Sequence, residues 1–252
     1  AALMLPPRFG AMHKGDAGRV LVVAGSVGMT GAAALCGMAA ARAGAGLVTI
    51  ACPESLNDIL EVKCTEVMTL PVAETPQRTL GPAARQQIAA FASGCDAVAL
   101  GPGISQNPET AHLVQELVPS LPVALVVDAD GLNCLAGRAE LLASRPAPTI
   151  ITPHPGELAK VMGNTPQAIQ EDRVDAARRA AEATRAVVVL KGAATVVAEP
   201  GGEVWINPTG NHGMASGGMG DVLTGVVAAF VAGGAPPIEA AVAAVYYHGL
   251  AA

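Results

Sequence analysis

Short apolar runs recur along the chain, each followed by loop residues and then by a stretch with helical spacing. RVLVVAGS, from Arg19 to Ser26, leads into the small-residue stretch GAAALCGMAAARAG. LVTIAC follows at Leu47, AVALGPG at Ala97, PVALVVDADG at Pro122, TIITPHPGE at Thr149 and AVVVLKGAAT at Ala186. Strands that are apolar throughout, rather than in alternation, are buried on both faces. Alternating with helices, they predict a three-layer α/β fold with a mostly parallel central sheet and helices on both sides. The best-marked helix runs from Thr165 to Arg185: Thr165 suits the cap, Pro166 the first turn, and the charges of QEDRVDAARRAAEATR a solvated face. Polar, proline-bearing stretches near 71–87 and 143–148 read as surface connections within one domain.

Nearly every strand ends in residues unusual for a plain loop: Gly25-Ser26, Gly101-Pro102-Gly103, Asp128-Ala129-Asp130, His154-Pro155-Gly156-Glu157 and Lys191-Gly192. The carboxyl ends of parallel strands form the ligand crevice of an open α/β sheet, so this edge is the candidate active site. The stretch NHGMASGGMGDVLTG, residues 211–225, adds Gly213, Gly217, Gly218, Gly220 and Gly225 around one acid, Asp221. Val222, Leu223, Val226, Val227, Phe230 and Val231 continue it at helical spacing. Glycines before a helix N-terminus let a phosphate reach unpaired N–H groups. A carboxylate there repels phosphate, but is well placed to take a proton from a hydroxyl that attacks it. The alternative is that Asp221 only caps the helix; a cap does not require GG-x-G, and the catalytic reading is favoured.

Other signals are weaker. His13, Lys14 and Arg19 could steer phosphates or form a solvated basic surface. Gly25, Gly28 and Gly31 form GxxGxxG rather than GxGxxG, despite an acid at Glu54, and read as close helix–strand packing or ligand approach. Asp128 and Asp130 could hold magnesium through water or cap turns. Lys191 could reach a nucleotide phosphate or be solvated. No Walker A sequence and no zinc-type His/Cys spacing occurs.

Composition narrows the classes. With 252 residues, 51% of them hydrophobic, a single large core is available. A net charge of −6 and 2% aromatics argue against nucleic acid, which needs a basic face and stacking platforms. No apolar run is long enough for a membrane span. The five scattered cysteines lack a CxxC pair and predict reduced thiols in a cytoplasmic protein.

Taken together, HKGDAGRVLVVAGS, RAGAGLVT, ALGPG, DADGLN, TPHPGELAKVMG, VVVLKGAATVV and NPTGNHGMASGGMGDVLTG resemble the ADP-dependent NAD(P)H-hydrate dehydratase family of the ribokinase-like superfamily. The likeness extends from about His13 to the end, with TPHPGE and GNHGMASGGMGDVLTG its specific parts. The resemblance implies one ribokinase-like domain over residues 1–252, with a further helix beyond YYHGLAA and an epimerase domain upstream in many bacterial members. It implies nicotinamide cofactor repair, in which hydrated NADH or NADPH is phosphorylated from ADP, with Mg2+, and phosphate is eliminated to leave AMP. Gly103, His154 and Asp221 would then face the hydrate, with Asp221 catalytic. Lys191, Gly192, Ala193, Ala194, Thr195 and Gly220 would hold the adenine nucleotide, joined by Gly217 and Gly218 of the glycine loop. A homo-oligomer, a tetramer, is also implied. Two other readings stay open: a ribokinase-like ATP-dependent kinase of a small vitamin precursor, and a non-catalytic nucleotide-binding module.

Overall fold

The computed structural model describes residues 4–7, 9–11 and 13–252. Its strands are β1 (Arg19–Val23), β2 (Leu47–Pro53), β3 (Met68–Val72), β4 (Ala97–Leu100), β5 (Ala124–Val127), β6 (Thr149–Ile151), β7 (Val187–Leu190), β8 (Val196–Ala198) and β9 (Val204–Ile206). They form one nine-stranded sheet in the order β3-β2-β1-β4-β5-β6-β7-β8-β9. From β3 across to β7 all neighbours are parallel; β8 and β9 add an antiparallel hairpin at one edge. The expected α/β architecture is therefore present, with β3, β8 and β9 beyond the strands named from the sequence. Strand order reverses between β1 and β4, which places the topological switch point at their carboxyl ends. There Gly25 N–H donates to Pro102 O (2.9 Å) and Ser26 Oγ donates to Gly103 O (2.8 Å).

The helices are α1 (Thr30–Arg42), α2 (Asn57–Lys63), α3 (Arg85–Ala92), α4 (Pro108–Ser120), α5 (Asp130–Asn133), α6 (Ala139–Ala143), α7 (Pro155–Met162), α8 (Pro166–Glu171), α9 (Arg173–Thr184), α10 (Met219–Ala232) and α11 (Pro237–Leu250). Successive strand residues point to opposite faces, so an apolar run supplies two cores at once. Leu21, Val23, Val98, Leu100, Leu125 and Val127 pack against α3 to α9. Val20, Val22, Ala97, Ala99, Val126 and Ile150 pack against α1, α2, α10 and α11. Among the described residues no helix is long and apolar enough to cross a membrane.

Two expectations need correction. The helix from Thr165 to Arg185 is broken at Asp172 into α8 and α9. Thr165 does cap α8, accepting from Ala168 N–H (3.2 Å), but Asp172 then caps α9 by accepting from Asp175 N–H (2.9 Å). A short polar side chain offered the backbone a second start, which charge periodicity conceals. Residues 71–87 are not merely a surface connection: they carry the end of β3, a bridge between Glu74 and Leu80, and the buried hydroxyls of Thr75 and Thr79, bonded to each other and to Thr110. Residues 143–148 are a surface connection as expected, with Ser144, Pro146 and Pro148 exposed; within it the Arg145 guanidinium donates to the carbonyls of Val118, Leu121 and Val123, at and just beyond the end of α4. Helix ends leave carbonyls without partners, and five fixed donors satisfy several together.

Helices α1 and α10 meet at backbone distance because Gly225 faces α1. A Cβ there would collide with the carbonyl oxygen of Cys36 and stand 3.0 Å from Ala39 Cβ. Gly225→Ala is therefore expected to lower the free energy of unfolding measured in urea by roughly 1–3 kcal/mol of overpacking, or more if α10 is displaced. A variant that melts like the unmodified protein would show that the helices can separate without loss.

Candidate active site

The carboxyl edge of the sheet gathers most of the chemistry read from the sequence. Asp128 directly follows β5, His154 and Glu157 follow β6, Lys191 follows β7, and Asp221 enters on the first turn of α10. Asp128 is fully buried, and both its carboxylate oxygens are engaged. Oδ1 accepts from Lys191 Nζ at 2.6 Å, and Oδ2 accepts from Thr224 Oγ1 at 2.7 Å. Ala129, the next residue, has φ 49 and ψ −124, a conformation costly for a residue with a Cβ. Glu157 stands 3.7 Å from Lys191 on the other side. Burial alone would push Lys191 down, but the charges of Asp128 and Glu157 outweigh it and hold the ammonium above its ordinary value. Removing one partner of so buried a pair typically costs about 3–5 kcal/mol. Lys191 is thus a paired cation, not a solvated lysine at the start of a loop.

Asp221 is not the helix cap. Gly218 holds that position at φ +93 with no side-chain cap, and Asp221 sits within the first turn. The first hydrogen bond runs from Val222 N–H to Gly218 O, so the N–H groups of Met219, Gly220 and Asp221 lack helical partners. The Asp221 carboxylate is half-buried and makes no hydrogen bond or ion pair among the described residues. Burial, reinforced by the Asp128 charge and opposed by Lys191, pushes it up to about 6. Alone among the acids of this edge it is free and poised near neutrality. Gly217 faces open space, whereas a methyl group at Gly220 would stand 3.3 Å from Lys191 Nζ and 3.5 Å from Asp128 Oδ2. The glycine crowding thus keeps the N–H groups open and leaves room for the ion pair beneath.

His154 is bound into α7. Its Nδ1 accepts from the N–H groups of Gly156 (3.0 Å) and Glu157 (3.3 Å), while Glu157 Oε2 accepts from His154 N–H (2.8 Å). This is a reciprocal capping box, and its signal was present in the sequence as the three-residue spacing of His154 and Glu157. The ring stays more than half exposed, with Nε2 3.4 Å from Glu157 Oε1. Gly103 is a glycine for a protein-internal reason: at φ +62 its Cβ would press on Met29 and Ala32 at about the N-terminus of α1. The turn Lys191–Thr195 is held by Arg173 of α9, which donates to Ala193 O (2.5 Å) and Leu190 O (2.9 Å). Thr195 Oγ1 donates to Gly192 O (3.0 Å), and Ala193 and Ala194 are exposed.

Several sequence candidates fall elsewhere or are otherwise employed. His13, Lys14 and Arg19 lie at the amino end of β1, across the sheet from Asp221, and do not face the crevice. Asp130 is occupied by Ser105 N–H, Gln106 and Asn133, so it holds a turn. With Asp128 spent on Lys191 and Thr224, neither is free as a magnesium ligand; among the described residues no group of three His, Cys, Asp or Glu side chains converges on a metal. Gly25 does pack closely, a Cβ there standing 3.2 Å from Ala33 Cβ. Glu157 was named at this edge without a role, and Thr224 and Arg173 were missed, because their partners lie elsewhere along the chain, where no local pattern reaches.

Comparison with known proteins places this geometry in a family. The NAD(P)H-hydrate dehydratase family model matches residues 20–252. The chain is 48% identical over 98% of its length to a bifunctional NAD(P)H-hydrate repair enzyme of Moorella thermoacetica, and spans about half of that relative, 47%. It is 36% identical, over 94% of this chain and 80% of the relative, to an ADP-dependent (S)-NAD(P)H-hydrate dehydratase of Xanthomonas campestris. Among solved structures, an ADP/ATP-dependent NAD(P)H-hydrate dehydratase from Bacillus subtilis, co-crystallized with ATP and Mg2+, superposes with a TM-score of 0.82 at 33% identity, covering 98% of this chain and 83% of that one. A ribokinase-like superfamily protein from Enterococcus faecalis shares the fold, with a TM-score of 0.81, 25% identity, and coverage of 98% and 82%. With a glycine-lined helix terminus, a free acid beside it and a match over nearly the whole chain, this protein belongs to the NAD(P)H-hydrate dehydratase family.

Proposed function

We propose that the chain catalyses ADP-dependent dehydration of the S epimer of hydrated NADH or NADPH, yielding the reduced cofactor, AMP and phosphate. The observation that carries the reading is Asp221: a carboxylate near pKa 6, without a partner, beside open N–H groups of a helix terminus. Asp221 removes the proton from the hydrate hydroxyl, whose oxygen attacks the terminal phosphoryl group of ADP, and AMP departs. Phosphate then leaves the ring carbon with its bonding electrons, and the neighbouring carbon loses a proton, restoring the double bond. The N–H groups of Met219, Gly220 and Asp221 and the Lys191 ammonium neutralise charge on the moving phosphoryl group. The Lys191–Thr195 turn with Gly217, Gly218 and Gly220 holds the nucleotide, while Gly103 and the exposed ring of His154 meet the hydrate.

Mg2+ fits this donor set in one way. Magnesium keeps several waters and needs few protein carboxylates when phosphates complete its shell, so the ion would arrive with the nucleotide and screen its phosphates, leaving Asp221 to act as the base. Buried, unpaired Cys36, Cys52, Cys64, Cys95 and Cys134 suit a reducing compartment such as the cytoplasm. A homo-oligomer, a tetramer in this reading, is checked by light scattering.

Asp221→Asn is expected to keep the fold and ADP binding while losing roughly 10²- to 10⁴-fold in turnover. Retained turnover would remove Asp221 from the chemistry. In the unmodified protein, kcat/KM should rise with pH through about 6, since the base form exists only above that value; a profile flat across pH 6 contradicts this. Gly220→Ala should weaken ADP binding measured by calorimetry, because the methyl group crowds both the N–H groups and Lys191. Each cofactor repaired should consume one ADP and release one AMP and one phosphate. Repair without nucleotide cleavage would sink the phosphorylation route.

A further inference from the structure

Asp128 is fully buried, yet it ties together two of the elements that build the site. Its Oδ1 holds Lys191 Nζ at 2.6 Å, which anchors the turn after β7. Its Oδ2 holds Thr224 Oγ1 at 2.7 Å, and the same hydroxyl lies 3.1 Å from Gly220 O. Thr224 is one helical turn beyond Asp221, so this contact fixes the turn that carries the acid. A bare structural tie does not require a charge at a fully buried position, where an ion is costly.

We propose that Asp128 is a positioning residue for the reaction: its two oxygens divide between Lys191 and Thr224, which locks the nucleotide-side cation and the Asp221 turn together and keeps Lys191 from pairing directly with Asp221. The proposal rests on Asp221 acting as the base. If Lys191 paired with Asp221 instead, the acid would be neutralised as a proton acceptor and the ammonium lost to the phosphates. Asp128 prevents that pairing by holding Lys191 itself. It also adds a like charge near Asp221, which favours the protonated form and so strengthens the base once it is ionised.

The other groups that face Asp221 do not replace it. Glu157 of α7 lies 3.7 Å from Lys191 and is bound to His154; Asp130 of α5 is taken by its own turn. Cys36 of α1 is held neutral by burial, and His248 of α11, against the Met219 carbonyl, is pushed down by burial and is neutral too. Asp128 and Lys191 remain the charged pair that sets the balance.

The test is the pH dependence of kcat/KM for Asp128→Asn, assayed with hydrated NADH, ADP and magnesium. Its acidic limb is expected to move down by about one unit from that of the unmodified protein, because a like charge is lost and Lys191 is released toward Asp221. Turnover above the limb is expected to fall on the order of tenfold to a hundredfold through mispositioning. A folded variant whose limb stays put overturns the proposal, since a merely structural residue would lower stability and leave the limb alone. Should Asp128→Asn not fold, Thr224→Val removes only the hydroxyl. It is expected to lower kcat by roughly tenfold at unchanged KM for ADP, and unchanged kcat overturns the proposal. Asp221→Asn separates the two ideas: retained turnover removes the base and this proposal with it, whereas an inactive Asp221→Asn beside an unmoved Asp128→Asn limb removes this proposal alone.

Discussion

A carboxylate sealed from water has to be paired, and Asp128 is paired on both sides, with an ammonium from one strand end and a hydroxyl from a helix. That requirement joins β5, β7 and α10, elements far apart in sequence, at one point on the carboxyl edge of the sheet. The geometry around it follows. Lys191 is tied away from solvent, the turn it begins is held again by Arg173, and a side chain at Gly220 would press on the ion pair beneath it. A low dielectric makes such a pair costly to form and more costly to break, so it serves definition of geometry rather than net stability.

The acids of this edge are divided by what they already hold. Asp128 and Asp130 have their oxygens engaged, and Glu157 caps α7 together with His154. Asp221 alone is left half-buried, near like charges and beside N–H groups with no helical partner. The same burial and crowding that raise its pKa are what a proton acceptor needs to work near neutral pH. In the proposed reaction an anion site and a base would coexist within one turn of helix, the backbone N–H groups serving the phosphate and the side chain the hydroxyl.

Small residues make that turn possible. Gly225 lets α10 lie against the backbone of α1 at Cys36, and the alanine-rich faces of both helices fill the layer above β1, β4 and β5. A composition with 2% aromatics packs in this manner: close backbones rather than large side chains. The approach sets where the N-terminus of α10 points, and hence where a phosphate would bind.

Much of this was legible along the chain. Continuous apolar runs identified six of the nine strands and the layered α/β fold, because burial on both faces leaves no polar position to alternate. The order of motifs carried the family, and glycines ahead of a helical pattern marked the site around Asp221. Local patterns did not reveal the break at Asp172 or the short strands β3, β8 and β9, since each turns on one hydrogen bond or on pairing at a sheet edge; the His154 capping box was legible in the spacing to Glu157 but was not read. Only the tertiary structure decided that Asp128 pairs with Lys191 and Thr224, and that His13, Lys14 and Arg19 lie across the sheet from the crevice. The physical reason is distance along the chain: Asp128 and Thr224 are separated by 96 residues, and periodicity records which side of an element is buried, never which distant side chain it is buried against.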